Sequence, residues 1–314
     1  MGDVGKIVIP GGSGHIGTFL SRSLAARGHE VVVLGRGFEG VRDGVRHVRW
    51  DGRTPGPWAA EIDGAAAVVN LAGRSVSCRY TKNNLTEMMA SRVDSARAVG
   101  AALAQASAPP PVWLQMSTAT IYAHRFDQPN DEATGMIGGH EPDVPGYWRF
   151  SVDIATAWER AMSDADLPGV RKVALRTAIV MAPGRGGAFD VLRRMARLGL
   201  GGPAAGGRQY MSWLHWLDFV LAVEFLLENE ISGPVNLAAP NPLPQRDFVR
   251  ALRRACGMPF GLPATAWMAS LGAFALRSDP ELLLKSRFVV PGVLLDAGFE
   301  FQYPRWPEAA ADLT

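Results

Sequence analysis

Along the first half of the chain, short runs of consecutive apolar residues alternate with stretches whose apolar positions recur every three or four residues. Continuous apolar runs suit strands buried on both faces of a sheet, and the longer spacing suits helices laid against it. Ile7, Val8 and Ile9 predict a first strand, and Ile16, Leu20 and Leu24 share one face of a helix that Gly28 stops. Further strands are predicted at 31–34, 45–50, 67–71, 112–116 and 173–181, with helices at 83–106 and 150–163.

This alternation predicts an α/β protein built on a doubly wound parallel sheet of the Rossmann type. Beyond Pro183 the rhythm changes. A glycine-rich stretch, 199–207, is expected to be a mobile loop, followed by a helix at 218–228 and a strand at 234–238. The remainder is punctuated by proline and reads as mostly helical. The predicted organisation is a sheet domain over 1–182, to which 213–238 returns. Segments 183–212 and 239–314 form a smaller cap over the strand ends, where open α/β sheets bind their ligands.

Composition narrows the class. The chain has 314 residues, 47% of them hydrophobic, and a net charge of +2. That supports a large core and argues against disorder. Its 32 basic residues stand against 30 acidic ones without a basic block, so no nucleic-acid partner is expected. The uncharged stretch 255–276 is interrupted by Pro259 and Pro263, and the part read as one element, 261–276, falls short of the roughly 18 to 20 residues a membrane span needs; a buried helix is expected there. Cys78 and Cys256 form no close pair. Strand-like sequence begins almost at Met1, so no signal peptide is read and a cytoplasmic location is expected.

The segment Gly11-Gly12-Ser13-Gly14-His15-Ile16-Gly17 joins the first strand to the first helix. Glycines there let the backbone approach a pyrophosphate, whose charge meets the helix N-terminus. The second strand ends Leu34-Gly35-Arg36. An acid is usual at this place in NAD-binding proteins, whereas an arginine accommodates a 2′-phosphate, so NADP(H) is the expected cofactor and Arg36 its phosphate contact.

With these residues in place the chain resembles the extended and atypical short-chain dehydrogenase/reductases. More narrowly, it is similar to the epimerase-family proteins that carry a C-terminal domain of unknown function. The resemblance rests on the glycine motif, Val69-Asn70-Leu71-Ala72-Gly73, Ser91-Arg92-Val93, Ser117 to Tyr122, Trp158-Glu159 and Arg176 to Val180. Ser212 to Asp218, Gly233 to Leu237 and Gly298 to Phe301 extend it through the C-terminal half. It implies that Asp51 contacts the adenine, that Leu71, Ala72 and Gly73 line the cofactor, that Pro183 adjoins the nicotinamide, and that Thr118 is the catalytic Ser/Thr. It also implies that His215 and Asp218 pack the cap.

The family's proton donor is a Tyr followed four positions later by a Lys, which lowers the phenol's pKa. None of the five tyrosines here has that partner, and no lysine lies between Lys82 and Lys172. Alignment on Trp158-Glu159 puts Ser151 and Ala155 in the two places. Tyr147, one helical turn before Ser151, is the expected donor, with His124, Asp153 and Glu159 as further options. Arg185, Arg193, Arg194, Arg197 and Arg208 could meet an anionic substrate. The expected activity is NADP(H)-dependent hydride transfer to or from a carbonyl or hydroxyl of a small organic substrate, with a homodimer as the assembly considered. A nucleotide-sugar epimerase or dehydratase is one alternative, and a non-catalytic NADP(H)-binding sensor or regulator is another.

Overall fold

The computed structural model describes residues 5–142, 144–268 and 279–314. Strand β1 (Lys6–Pro10) leads through helix α1 (His15–Ala26) to β2 (Glu30–Gly35), then to β3 (Gly40–Arg42), β4 (Val45–Arg49) and β5 (Ala67–Asn70). Helix α2 (Lys82–Gln105), β6 (Val112–Thr118), α3 (Arg149–Ser163) and β7 (Arg171–Thr177) complete the first half. The second half holds β8 (Ile179–Met181), α4 (Ala188–Arg197), β9 (Tyr210–Met211), β10 (Trp213–His215) and α5 (Trp216–Glu228). There follow β11 (Gly233–Leu237), β12 (Leu243–Pro244), α6 (Gln245–Ala255) and, near the end, a helix over Trp306–Leu313.

The main sheet runs β11-β7-β6-β5-β1-β2-β4-β3, parallel except where β3 meets β4. Successive side chains of a strand point to opposite faces, so β1 feeds two cores. Ile7 and Ile9 join Leu20 and Leu24 of α1 and Phe219 and Val223 of α5 on one side. Val8 joins Val99 and Leu103 of α2 and Trp158 of α3 on the other. The Rossmann-type, doubly wound α/β class expected from the sequence is the architecture found. The chain leaves β1 in opposite directions, toward β2 and later toward β5, which opens a crevice at their carboxyl ends.

Three local expectations are corrected, and the strand expected at 45–50 is found as β4 with a partner the sequence did not reveal. The strand at 45–50 is one arm of a hairpin with β3, turned by Asp43 and Gly44, both at positive φ (51° and 73°). Two such residues make the turn whose twist matches a hairpin. The strand at 173–181 is two strands: Ala178 donates its N–H to Leu237 O, and β8 swings away to pair with β10. The glycine stretch expected to be a mobile loop is tied down, because Leu262 N donates to Gly199 O and Ala205 N to Ala264 O. The run 261–276 lies partly outside the described residues, and in its described part Leu262, Trp267 and Met268 are exposed, so it is no buried helix there. No helix among the described residues is long and apolar enough to cross a membrane.

Candidate functional site

The glycine turn is shaped by close contacts. Gly11 sits at φ +77°, and a Cβ there would lie 2.6 Å from the backbone of Ala72. A Cβ on Gly17 would lie 2.5 Å from Gly12 Cα, so only glycine lets α1 start this close to the turn. Gly14 differs: its Cβ would meet only Gly11 O, at 3.4 Å, and otherwise open space. Gly14 caps α1 without a side-chain hydrogen bond, which leaves the positive end of the helix open to an anion. His15 Nε2 is buried there without a hydrogen-bond partner among the described residues, against Gly187. Ile16 packs on the core.

Across the crevice, Leu71 N donates to Pro10 O, and Ala72 N to Asn70 Oδ1, whose amide is held in turn by Gln115. These contacts place Leu71, Ala72 and the exposed Gly73 beside the glycine turn. At the end of β2, Gly35 keeps room for Ser13, since a Cβ would come 2.8 Å from Ser13 Oγ. A cleft of about 180 Å³ opens here, lined by Gly12, Ser13, Arg22, Gly35, Phe38 and Arg42. Arg22 pairs with Asp43 at 2.5 Å, and Arg42 stacks on Phe38. Arg36 is exposed at the mouth and has no ion-pair partner among the described residues. Asp51 is engaged in its own turn, accepting from the N–H of Arg53 and Thr54 and from the Thr54 hydroxyl. Pro183 lies half-buried in the loop after β8.

On the substrate side, Thr118 ends β6 and its Oγ1 accepts from Thr120 N at 3.2 Å. Tyr147 is half-exposed, and its hydroxyl is hydrogen-bonded to the Asp279 carboxylate. Glu159 is taken up elsewhere: both its oxygens bind Arg176 at 2.9 Å, and Ser117 Oγ donates to Oε1. Arg176 also reaches the Tyr122 hydroxyl, which donates to Asn236. Trp158-Glu159 and Arg176 thus build the framework behind the strand ends. His215 and Asp218 tie the C-terminus: His215 Nε2 is 3.1 Å from Asp312, and Asp218 accepts the N–H groups of Gln302 and Tyr303. Arg193 and Arg194 pair with Asp190, and Arg197 donates to Thr314 O. Arg185 and Arg208 are exposed.

Sequence reasoning missed the groups that pack against the Thr118–Thr120 turn from the far end of the chain. Lys285 is buried, its Nζ donating to Thr120 O at 2.8 Å, and Arg287 Nε donates to Thr120 Oγ1 at 3.1 Å. Glu281, with no exposed surface, accepts from Ser151 Oγ at 2.5 Å and lies 4.0 Å from the Lys285 amine. Tyr80, from the loop after β5, hydrogen-bonds with Ser151. His124 Nδ1 accepts from Ser286 N. Burial pushes the Tyr80 and Glu281 pKa values up and the Lys285 amine down to about 8. The signal available in sequence was a Glu, a Lys and an Arg set among apolar residues in Glu281 to Val290.

A parallel sheet with an open glycine turn at its switch point defines a nucleotide-binding α/β protein of the short-chain dehydrogenase/reductase type. The chain belongs to the NAD dependent epimerase/dehydratase family, which matches residues 7–238; residues 264–313 match a domain of unknown function, DUF1731. Epimerase family protein SDR39U1 of Bos taurus is 31% identical over 307 residues, covering 95% of this chain and 96% of that protein. A crystal structure of human SDR39U1 (isoform 2) with NADPH is similar at a TM-score of 0.83 and 27% identity, over 98% of each chain. A UDP-N-acetylglucosamine 4-epimerase from Bacillus cereus shares the fold at a TM-score of 0.72 and 16% identity, covering 98% of this chain and 97% of that one.

Proposed function

We propose that this protein is an NADP(H)-dependent oxidoreductase acting on a carbonyl or hydroxyl group of a small organic molecule. The observation that carries the reading is Arg36, an exposed guanidinium without an ion-pair partner among the described residues, where NAD-binding proteins hold a carboxylate. The NADPH in the human relative supports it.

The residues present fit the group. The uncapped α1 terminus over Gly11 to Gly17 would hold the pyrophosphate, and His15 Nε2 is an unsatisfied polar atom beside it. Arg36 would meet the 2′-phosphate, while Leu71, Ala72, Gly73 and Pro183 would line the path to the nicotinamide. Asp51 would reach the adenine by its turn-held carboxylate. When bound, the cofactor supplies or accepts hydride. Thr118 would hydrogen-bond the substrate oxygen and orient it. Segments 183–212 and 239–314 would cover the substrate as a cap on a domain of 1–182 and 213–238. The reading places the protein in the cytoplasm.

Fluorescence titration with NADPH and NADH tests the cofactor. NADPH is expected to bind at least about tenfold more tightly, and Arg36→Ala to lose most of that preference, because a charge-assisted contact is removed. Equal affinities would overturn the reading. An epimerase or dehydratase would retain bound NAD through purification. A sensor would bind NADPH and turn over nothing.

A further inference from the structure

Two other parts of the chain bring a phenol and, through a carboxylate, an amine to the position on α3 that lacks the donor pair. Ser151, in the place where the family has its tyrosine, is buried and joins two partners: it hydrogen-bonds with the Tyr80 phenol and donates to Glu281 Oε2 at 2.5 Å. The other oxygen of Glu281 lies 4.0 Å from Lys285 Nζ. Lys285 in turn donates to Thr120 O, two residues from Thr118. The sequence supplies only four lysines, and this one is buried.

We propose that Tyr80 is the proton donor to the substrate oxygen, and that Ser151, Glu281 and Lys285 form the relay that resupplies it. The proposal rests on the oxidoreductase reading and names the residues that would complete it.

A purely structural cluster would satisfy its buried polar atoms. This one leaves Glu281 Oε1 and Arg287 Nη2 without hydrogen-bond partners among the described residues. Burying three charged side chains together is costly, and well-packed apolar residues often serve stability as well or better. Tyr147 is a poorer donor, since it is half-exposed and bonded to Asp279.

In the reductive direction the carbonyl carbon receives a hydride from the reduced nicotinamide, which is left oxidised. The carbonyl oxygen takes the Tyr80 proton, so C=O becomes CH–OH. The phenolate takes a proton from the Ser151 hydroxyl, and Ser151 takes one from protonated Glu281. Lys285 returns a proton to Glu281 and is recharged from water, so one solvent proton is consumed per turnover. Burial favours the protonated forms of Tyr80 and Glu281 and makes the Lys285 proton easier to give up. The charged or titratable groups facing Lys285 are Glu281 and Arg287 on its own segment, and Glu141 and His124 across from it.

The test measures NADPH oxidation by the full chain with a panel of aldehydes, ketones and quinones, beside NADPH titration of each variant. Tyr80→Phe is expected to lower kcat by about 10²–10⁴-fold with NADPH affinity unchanged. Wild-type kcat should be level below about pH 8 and fall above it, as Lys285 loses its charge. Lys285→Met should be slow at every pH, and so should Lys285→Arg, whose guanidinium keeps the charge but cannot give up a proton. With lysine ¹³C-labelled at Cε, one of four signals should titrate near 8 and vanish in Lys285→Met. That signal should persist in Tyr80→Phe, which shows the cluster folded. Tyr80→Phe at wild-type rate, or a rate lost in Tyr147→Phe instead, overturns the relay alone. A wild type that binds NADPH and reduces none of the panel overturns the oxidoreductase reading and the relay with it.

Discussion

Gly14 and Gly17 lie three positions apart in one turn, yet their surroundings predict opposite failures. An alanine Cβ at Gly17 would sit 2.5 Å from Gly12 Cα, so backbone must shift by about an ångström to reach ordinary contact. Overpacking of this kind costs about 1–3 kcal/mol. At about 2 °C per kcal/mol for a chain of this size, Gly17→Ala should melt roughly 2–6 °C lower. Gly14→Ala meets only Gly11 O at 3.4 Å, and its backbone (φ −74°, ψ 174°) suits alanine. It should lose only a few tenths of a kcal/mol to about one through the weaker cap, or at most about 2 °C. Its methyl group, however, fills the space reserved for the pyrophosphate, so NADPH affinity should fall by about 100-fold or more. Differential scanning fluorimetry without ligand separates the two variants, and NADPH titration separates them in the other order. A Gly14→Ala protein that binds NADPH within about threefold of wild type would show that the open space is not the phosphate site.

Other perturbations follow from the same contacts. Glu159→Ala leaves Arg176 buried without its carboxylate and should cost about 3–5 kcal/mol, or some 6–10 °C in melting temperature; a change below about 2 °C would refute the assignment. Asp218→Ala frees the N–H groups of Gln302 and Tyr303 and should speed proteolysis of the last residues while leaving the glycine turn intact, as limited trypsin digestion followed by mass spectrometry would report. Burial lowers the folded-state pKa values of His124 and His215, so the unfolded chain binds more protons as pH falls. Their contribution is complete above about pH 6.5 and is lost as pH falls toward the folded values, so urea midpoints should drop across that range and drop less in His215→Gln.

The sheet and its cofactor crevice were legible because their signals are local: strand, glycine turn and helix lie within Lys6 to Ala26. Gly35-Arg36 was equally readable, since strand and charge adjoin. The hairpin at Asp43-Gly44 carried a readable turn signal, but β3 is only three mostly exposed residues and has no apolar run of its own. The Tyr80-Ser151-Glu281-Lys285 cluster had no local signature. Its members come from the loop after β5, from α3 and from the C-terminal segment, and no periodicity links positions 130 residues apart such as Ser151 and Glu281. The absence of lysine between Lys82 and Lys172 was visible; that an amine arrives from Lys285 is a property of tertiary packing.

That packing sets an order of events during synthesis. The crevice between β1 and β5 can close once the first strands and helices have left the ribosome. The turn after β6 must wait for Lys285, Ser286 and Arg287, roughly 160 residues later, before its carbonyl, its hydroxyl and His124 gain their partners. The contacts of the glycine turn are therefore available to the nascent chain long before those of the Thr118–Thr120 turn, and on the proposed relay the proton path is the last part of the site to be assembled.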